Sequence, residues 1–164
     1  MTRDVLVIGY GNTLRTDDGV GRLAAERLAD DPRLDGVRVI SRHQLTPDLA
    51  VDLSRAALVV FVDASHGPPA GMTMVEPLGR PGRTAAAWSH HLHPSSLVDL
   101  AGELYGASPD AVIVRMGVGS LAPGDRLSPM VEAALPGLVD TVAALIVDRT
   151  ATRGAGQVAE HGRA

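Results

Sequence analysis

Two groups of acidic residues and one cluster of histidines are of the types that bind metal ions. Asp17 and Asp18 stand side by side in a polar loop, and Asp63 directly follows an apolar run. Three histidines occupy positions 90, 91 and 93. Carboxylate and imidazole groups are ligands for nickel- and zinc-like metals. Two aspartates and one histidine from three separate loops would form an open site, with positions left for solvent or substrate.

Each of these groups also has a purely structural explanation. An aspartate in the first turn of a helix accepts hydrogen bonds from backbone N–H groups that lack a partner. One acid suffices for that role, so one of Asp17 and Asp18 can cap the helix while the other faces a site. Asp63 could instead begin a turn, and the histidine cluster could be a solvated loop. The residue types alone leave both interpretations open.

The elements that would position these side chains alternate along the chain in the order β-α-β-α-β-β-α-β-α. The hydrophobic pattern predicts strands at residues 5–8, 37–40, 57–62, 72–76 and 111–117. It predicts helices at residues 17–29, 47–55 and 97–105 and from Pro129 onward, the last with a kink or break at Pro136. This order is typical of an α/β fold with a mostly parallel sheet covered on both faces. Ligands of such folds bind at the carboxyl ends of the strands.

Length and composition indicate one domain, which we place at residues 1–149. The chain has 164 residues, 45% of them hydrophobic, which is enough to bury a core without cross-links. It contains no cysteine, which excludes disulfides, thiolate metal ligands and a cysteine nucleophile. Residues 150–164 show no hydrophobic periodicity, so we expect a disordered tail there.

The charge and hydropathy patterns exclude several classes of partner. The net charge is −4 and no basic patch is present, which argues against nucleic acid. No apolar run approaches the roughly 18 residues of a membrane span. The first strand begins at Val5, which leaves no room for a signal peptide. We therefore expect a cytoplasmic protein that binds neither nucleic acid nor membrane.

The common catalytic and cofactor motifs do not fit this sequence. Gly9 and Gly11 begin like a dinucleotide-binding fingerprint, but Leu14 stands where its third glycine should be. A Walker motif, a His-Glu-x-x-His motif and a Gly-x-Ser-x-Gly motif are all missing from the sequence. We therefore expect no organic cofactor and no serine nucleophile. A degenerate nucleotide-binding domain remains an alternative.

The opening segment carries a resemblance to a known family. Gly9-x-Gly-Asn-x-Leu-Arg-x-Asp-Asp-Gly-x-Gly21 resembles the signature of the hydrogenase maturation proteases. These endopeptidases remove the C-terminal extension of the large subunit of nickel-iron hydrogenases. The similarity continues at Val62-Asp63-Ala64, at Ser89-His90-x-Leu92 and at Leu127-Ser128-Pro129, and covers about residues 3 to 148.

The resemblance implies a three-layer α/β/α sandwich with a twisted, mostly parallel central sheet. It implies that Asp18, Asp63 and His90 are the metal-coordinating and functional residues, although His91 or His93 could replace His90. With Asp18 as the ligand, we expect Asp17 to be the helix cap. The resemblance also implies that the family has no nucleophile of its own, and that the three ligands recognise nickel already inserted in the partner, the large-subunit precursor. Residues 42–47 depart from the glycine-rich loop expected after the second strand. A non-catalytic, nickel-sensing chaperone of the precursor is a further alternative.

Overall fold

A five-stranded sheet forms the centre of the protein. The computed structural model describes residues 4–78 and 92–161. The strands are β1 (Val5–Tyr10), β2 (Arg38–Arg42), β3 (Leu58–Ser65), β4 (Thr73–Pro77) and β5 (Asp110–Gly117). The helices are α1 (Val20–Ala29), α2 (Ala50–Leu53), α3 (Pro94–Tyr105) and α4 (Pro129–His161), with short 3-10 helices at Thr16–Gly19, Pro32–Leu34 and Pro47–Leu49.

The sheet has the order β2-β1-β3-β5-β4. Strands β2, β1, β3 and β5 run parallel, and β4 pairs antiparallel with β5 at one edge. This confirms the predicted mostly parallel sheet and the predicted edge strand. Residues 5–9 of β1 and 58–62 of β3 are buried without interruption, as expected for strands covered on both faces.

Two hydrophobic cores lie on opposite faces of the sheet, because successive side chains of a strand point to opposite sides. Val5 and Val7 belong to one core, which includes residues of α1 and α4. Leu6 and Ile8 belong to the other, which includes residues of α2 and α3. The α/β/α layering that the resemblance implied is therefore present.

Two glycines allow α1 to lie directly against the central strands. A Cβ atom on Gly9 would come within 2.1 Å of the Gly21 carbonyl oxygen, and one on Gly21 within 2.3 Å of the Val62 carbonyl oxygen. Only hydrogen in place of a side chain permits these distances. This close contact brings the loop before α1 next to the carboxyl end of β3, where Asp63 lies.

Helix α4 differs from its prediction at two places. It runs without a break through Pro136, because buried side chains on both sides of the proline, Leu135 and Leu138 among them, keep it packed against the core. It also continues to His161, whereas the sequence predicts a disordered tail from residue 150. The side chains of Arg149 and Arg153 both pair with Asp110, the first residue of β5, where the added turns begin.

By length and composition alone, Pro129–Gly154 of α4 could cross a membrane. Its apolar side is nevertheless part of the core: Val131, Leu135, Leu138, Val142 and Ile146 are all buried. The hydropathy of α4 thus reflects its place in the core.

The remaining differences concern element boundaries. The predicted helix at residues 17–29 begins as the 3-10 turn Thr16–Gly19, and α1 starts only at Val20. Strand β3 extends to Ser65, so Asp63 lies inside the strand and not after it. Its pairing with β5 continues through this region, which keeps the backbone of Asp63 extended.

Candidate functional site

A cavity of about 310 Å³ opens at the carboxyl end of the sheet, and both predicted acids line it. Asp18 comes from the 3-10 turn after β1, and Asp63 from the end of β3. His43 and His66, which follow β2 and β3, also line the cavity. The negative charge of Asp18 is close enough to contribute to a raised pKa of Asp63. The fold thus brings together two acids that are 45 positions apart in the sequence.

Both carboxylate oxygens of Asp63 accept a hydrogen bond. The Tyr10 hydroxyl donates to Oδ2 at 2.8 Å, and the Ala64 backbone N–H donates to Oδ1 at 2.8 Å. Burial raises the pKa of Asp63 above its ordinary value, although these two donors and the nearby Arg115 charge act in the opposite direction. Burial and the Asp63 charge likewise raise the pKa of Tyr10, so its hydroxyl stays protonated and can donate.

Asp18 is half-buried, and its carboxylate is less constrained. The Asn12 backbone N–H donates to Asp18 Oδ2 at 2.8 Å. The Asn12 side chain in turn accepts a hydrogen bond from the Leu14 N–H at 2.9 Å, which shapes the loop. In the described parts of the chain no donor reaches Oδ1 of Asp18.

Asp17 has a different role from the one predicted. It is fully buried, and its carboxylate caps no helix of its own. Instead it accepts hydrogen bonds from the N–H groups of Gly119, Ser120 and Ser128 and from the Ser128 hydroxyl, at 2.7 to 2.9 Å. Burial would raise the pKa of Asp17, but these four donors together outweigh it and lower the pKa. Asp17 therefore ties the signature loop to the segment that precedes α4.

The predicted histidine ligand, His90, lies outside the described residues, as does His91. His93 directly precedes α3 and does not line the cavity, whereas Leu92 does. Among the described residues, no group of three or more histidine, aspartate or glutamate side chains is arranged to hold a metal ion. Asp18 and Asp63 therefore supply two carboxylates to an open site.

Tyr10, like His43 and His66, lines this site without having been predicted as a site residue. Its aromatic type and its place at the end of an apolar run are equally typical of a core residue. The available signal was position: Tyr10 ends β1 at the same edge of the sheet as Asp63. Ligands of open α/β sheets bind at that edge, so every polar strand-end residue there is a candidate.

Comparison with known proteins identifies the fold. No protein-family model matches the chain, and no curated protein matches it. Several solved structures match the chain. The [NiFe] hydrogenase maturation protease HycI from Thermococcus kodakarensis is 24% identical, with 89% of this chain and 93% of that one covered and a TM-score of 0.72. The hydrogenase maturating endopeptidase HybD from E. coli is 24% identical over 88% and 93% of the two chains, with a TM-score of 0.69.

A third structure is more similar in sequence. The hydrogenase 2 maturation peptidase from a Thaumarchaeota archaeon is 28% identical, with 87% of this chain and 97% of that one covered and a TM-score of 0.64. These structural neighbours are maturation endopeptidases, which are peptide hydrolases. The chain has the fold of the hydrogenase maturation proteases over most of its length, which confirms the resemblance carried by its opening signature.

Proposed function

We propose that this protein is an endopeptidase that removes the C-terminal extension of a nickel-iron hydrogenase large-subunit precursor after nickel has been inserted. One observation carries the proposal: Asp18, from the family-like signature, and Asp63, from β3, line one cavity at the carboxyl end of the sheet. They do so in a fold shared with maturation proteases over 87–89% of the chain. The substrate, the partner and a cytoplasmic location are all part of this proposal.

Asp18, Asp63 and His90 are the proposed ligands for the nickel of the precursor. Carboxylate and imidazole donors suit a divalent metal of this kind. Leu92, which follows His90 by two positions in the sequence, lines the cavity. Nickel belongs to the substrate here, so the protein needs only a partial ligand set. The precursor supplies the rest of the coordination.

Water is the proposed nucleophile for the peptide bond. No serine or threonine is among the described residues that line the cavity, and the chain has no cysteine. The water oxygen would bond to the scissile carbonyl carbon, the C–N bond would break, and the leaving nitrogen would take a proton. Asp18 and Asp63 would locate the metallated precursor so that its extension lies in the cavity. Cleavage would then depend on nickel because nickel fixes the substrate.

The same residues could serve a protein that binds the precursor without cutting it. No serine or threonine is among the described lining residues and the chain has no cysteine, which favours this second candidate, a nickel-sensing chaperone. It would use Asp18 and Asp63 as the same two ligands. The two candidates differ only in whether the peptide bond is hydrolysed.

Purified protein incubated with nickel-loaded and nickel-free precursor separates these functions. The endopeptidase predicts a shift in electrophoretic mobility of the nickel-loaded precursor alone. Complex formation without a shift would instead identify a chaperone, and thermal stabilisation by nucleotides would indicate the degenerate nucleotide-binding domain. Asp148→Asn is a suitable control for variants of Asp18 and Asp63. Asp148 is an exposed aspartate of α4, far along the chain from these two residues.

A further inference from the structure

We propose that Tyr10 is a positioning residue for Asp63, and that its hydroxyl group is required for efficient processing of the precursor. The inference rests on the proposed function, which it extends to a residue outside the ligand set. Tyr10 lines the same cavity as Asp18 and Asp63. Its hydroxyl donates to Asp63 Oδ2 at 2.8 Å, and this contact joins the ends of two adjacent strands.

The parallel pairing of β1 and β3 sets the two side chains beside each other. Gly9 pairs with Val62, so the next residue of each strand, Tyr10 and Asp63, lies on the same face of the sheet. On that face the Tyr10 ring packs against the core that contains Leu6. Because the ring is held by packing, the position of the phenol oxygen is fixed by the fold.

Two donors on two oxygens fix the plane of the Asp63 carboxylate. The Ala64 N–H binds Oδ1, and the Tyr10 hydroxyl binds Oδ2. Rotation of the carboxylate would break one or both hydrogen bonds. One lone pair on each oxygen is taken, and the remaining lone pairs have fixed directions. Hydrogen-bonded partners of a ligating carboxylate orient it in this way.

The segment that carries Tyr10 holds the second acid as well. The Asn12 N–H donates to Asp18 Oδ2 at 2.8 Å, two residues after Tyr10. The end of β1 and the loop that follows therefore set both acids relative to each other. Tyr10 contributes its side chain to this arrangement, so a single substitution can remove its part and leave the contact between Asn12 and Asp18 in place.

The experiment compares Tyr10→Phe with the wild type and with Tyr105→Phe. Phenylalanine fills the same space in the core and removes only the hydroxyl. Tyr105 is 52% exposed at the end of α3, so its variant controls for the loss of a phenol. We expect Tyr10→Phe to fold and to process nickel-loaded precursor about 10- to 100-fold more slowly, the usual loss when a partner of a metal ligand is removed. Tyr105→Phe should process at the wild-type rate.

Calorimetric titration with Zn²⁺ alone gives a second measurement that does not depend on cleavage. We expect Tyr10→Phe to weaken zinc binding about 10-fold or more, and to have no further effect in an Asp63→Asn background, because the hydroxyl acts through Asp63. If Tyr10→Phe weakens zinc binding equally in the wild-type and the Asp63→Asn backgrounds, the inference is overturned. Wild-type processing by Tyr10→Phe, or failure of this variant to fold, would overturn it as well.

The two proposals fail in distinguishable ways. A wild-type protein that leaves nickel-loaded precursor intact overturns the proposed function, while the zinc titrations still decide the role of Tyr10. A wild type and a Tyr10→Phe variant that process the precursor equally fast overturn only the role of Tyr10. A wild type that neither processes the precursor nor binds zinc overturns both.

Discussion

Asp17 and Ser128 are joined by two hydrogen bonds across 111 positions of sequence. The Ser128 N–H donates to Oδ1 of the carboxylate at 2.7 Å, and its hydroxyl donates to Oδ2 at 2.8 Å. Since Asp17 is completely buried, these donors replace the water that its charge would otherwise bind. The pair fixes the backbone next to Asp18 and connects the site to the start of α4.

Ser128→Ala should destabilise the fold by about 1.5–3 kcal/mol, because it removes a hydrogen bond to a buried charge. The measurement is the free energy of unfolding in urea. Ser41→Ala is the matched control, since the Ser41 hydroxyl has only an exposed 3.4 Å contact with Glu26. The control should change stability by less than about 0.5 kcal/mol. Equal effects of the two variants would show that the contact with Asp17 adds nothing.

The stability of the protein should fall in acid partly because of Asp17. Its folded pKa is lowered, so folding favours the carboxylate. That contribution is complete above the ordinary pKa of about 3.9 in the unfolded chain, and it is lost as the pH falls through the folded pKa. Urea unfolding between neutral pH and strong acid should show a shallower decline for Asp17→Asn than for the wild type. If the free energy of unfolding falls as steeply with pH below pH 4 in Asp17→Asn as in the wild type, Asp17 does not make this contribution.

Asp63 should have the opposite effect on stability. Its folded pKa is raised, chiefly by burial, so the folded state binds its proton more tightly than the unfolded chain does. The contribution of Asp63 to stability is therefore greatest below its unfolded pKa. It decreases as the pH rises through the folded pKa, and it is lost completely above the folded pKa. Asp63→Asn, which carries no charge, should be more stable than the wild type at neutral pH, with the difference shrinking in acid. Thermal denaturation at several pH values measures this, and a less stable variant at neutral pH would refute it.

Gly9→Ala should destabilise the fold severely. The added Cβ would lie 2.1 Å from the Gly21 carbonyl oxygen and 2.5 Å from the Ala25 Cβ, so α1 must move away from β1. Overpacking of this kind costs about 1–3 kcal/mol or more. Gly137→Ala is the control: an added Cβ there meets nothing within 4 Å, and it should stabilise α4 by about 1 kcal/mol. Chemical denaturation of both variants tests the prediction, and a stable Gly9→Ala variant would contradict it.

The order of strands and helices could be predicted because it rests on local periodicity. The Val- and Ile-rich runs of β1, β3 and β5 each signal a buried strand by themselves, and alternation in β4 signals an edge. Asp63 and the Asp17–Asp18 pair could be selected because strand ends of α/β folds carry function, and the resemblance of the opening signature then singled out Asp18. Their joint place at one cavity follows from the parallel sheet.

The contacts of the site could not be predicted, because they depend on residues that are distant in sequence. Asp17 accepts hydrogen bonds from donors 102 to 111 positions away in the sequence. The prediction that it caps a helix, which was the nearest local explanation, is therefore wrong. The contact between Tyr10 and Asp63 spans 53 positions and requires the register of β1 against β3. Of the kink or break predicted at Pro136, the break is absent because core packing on both sides of the proline keeps the helix continuous.

The central claim is hydrolysis that depends on Asp18. Its most direct test is the intact mass of nickel-loaded large-subunit precursor after incubation with the wild type and with Asp18→Asn, which circular dichroism should show to be folded. The wild type should reduce the precursor mass by that of its C-terminal extension, and Asp18→Asn should leave the mass unchanged. A full-length precursor after incubation with the wild type, or a precursor shortened equally by both proteins, would contradict the account.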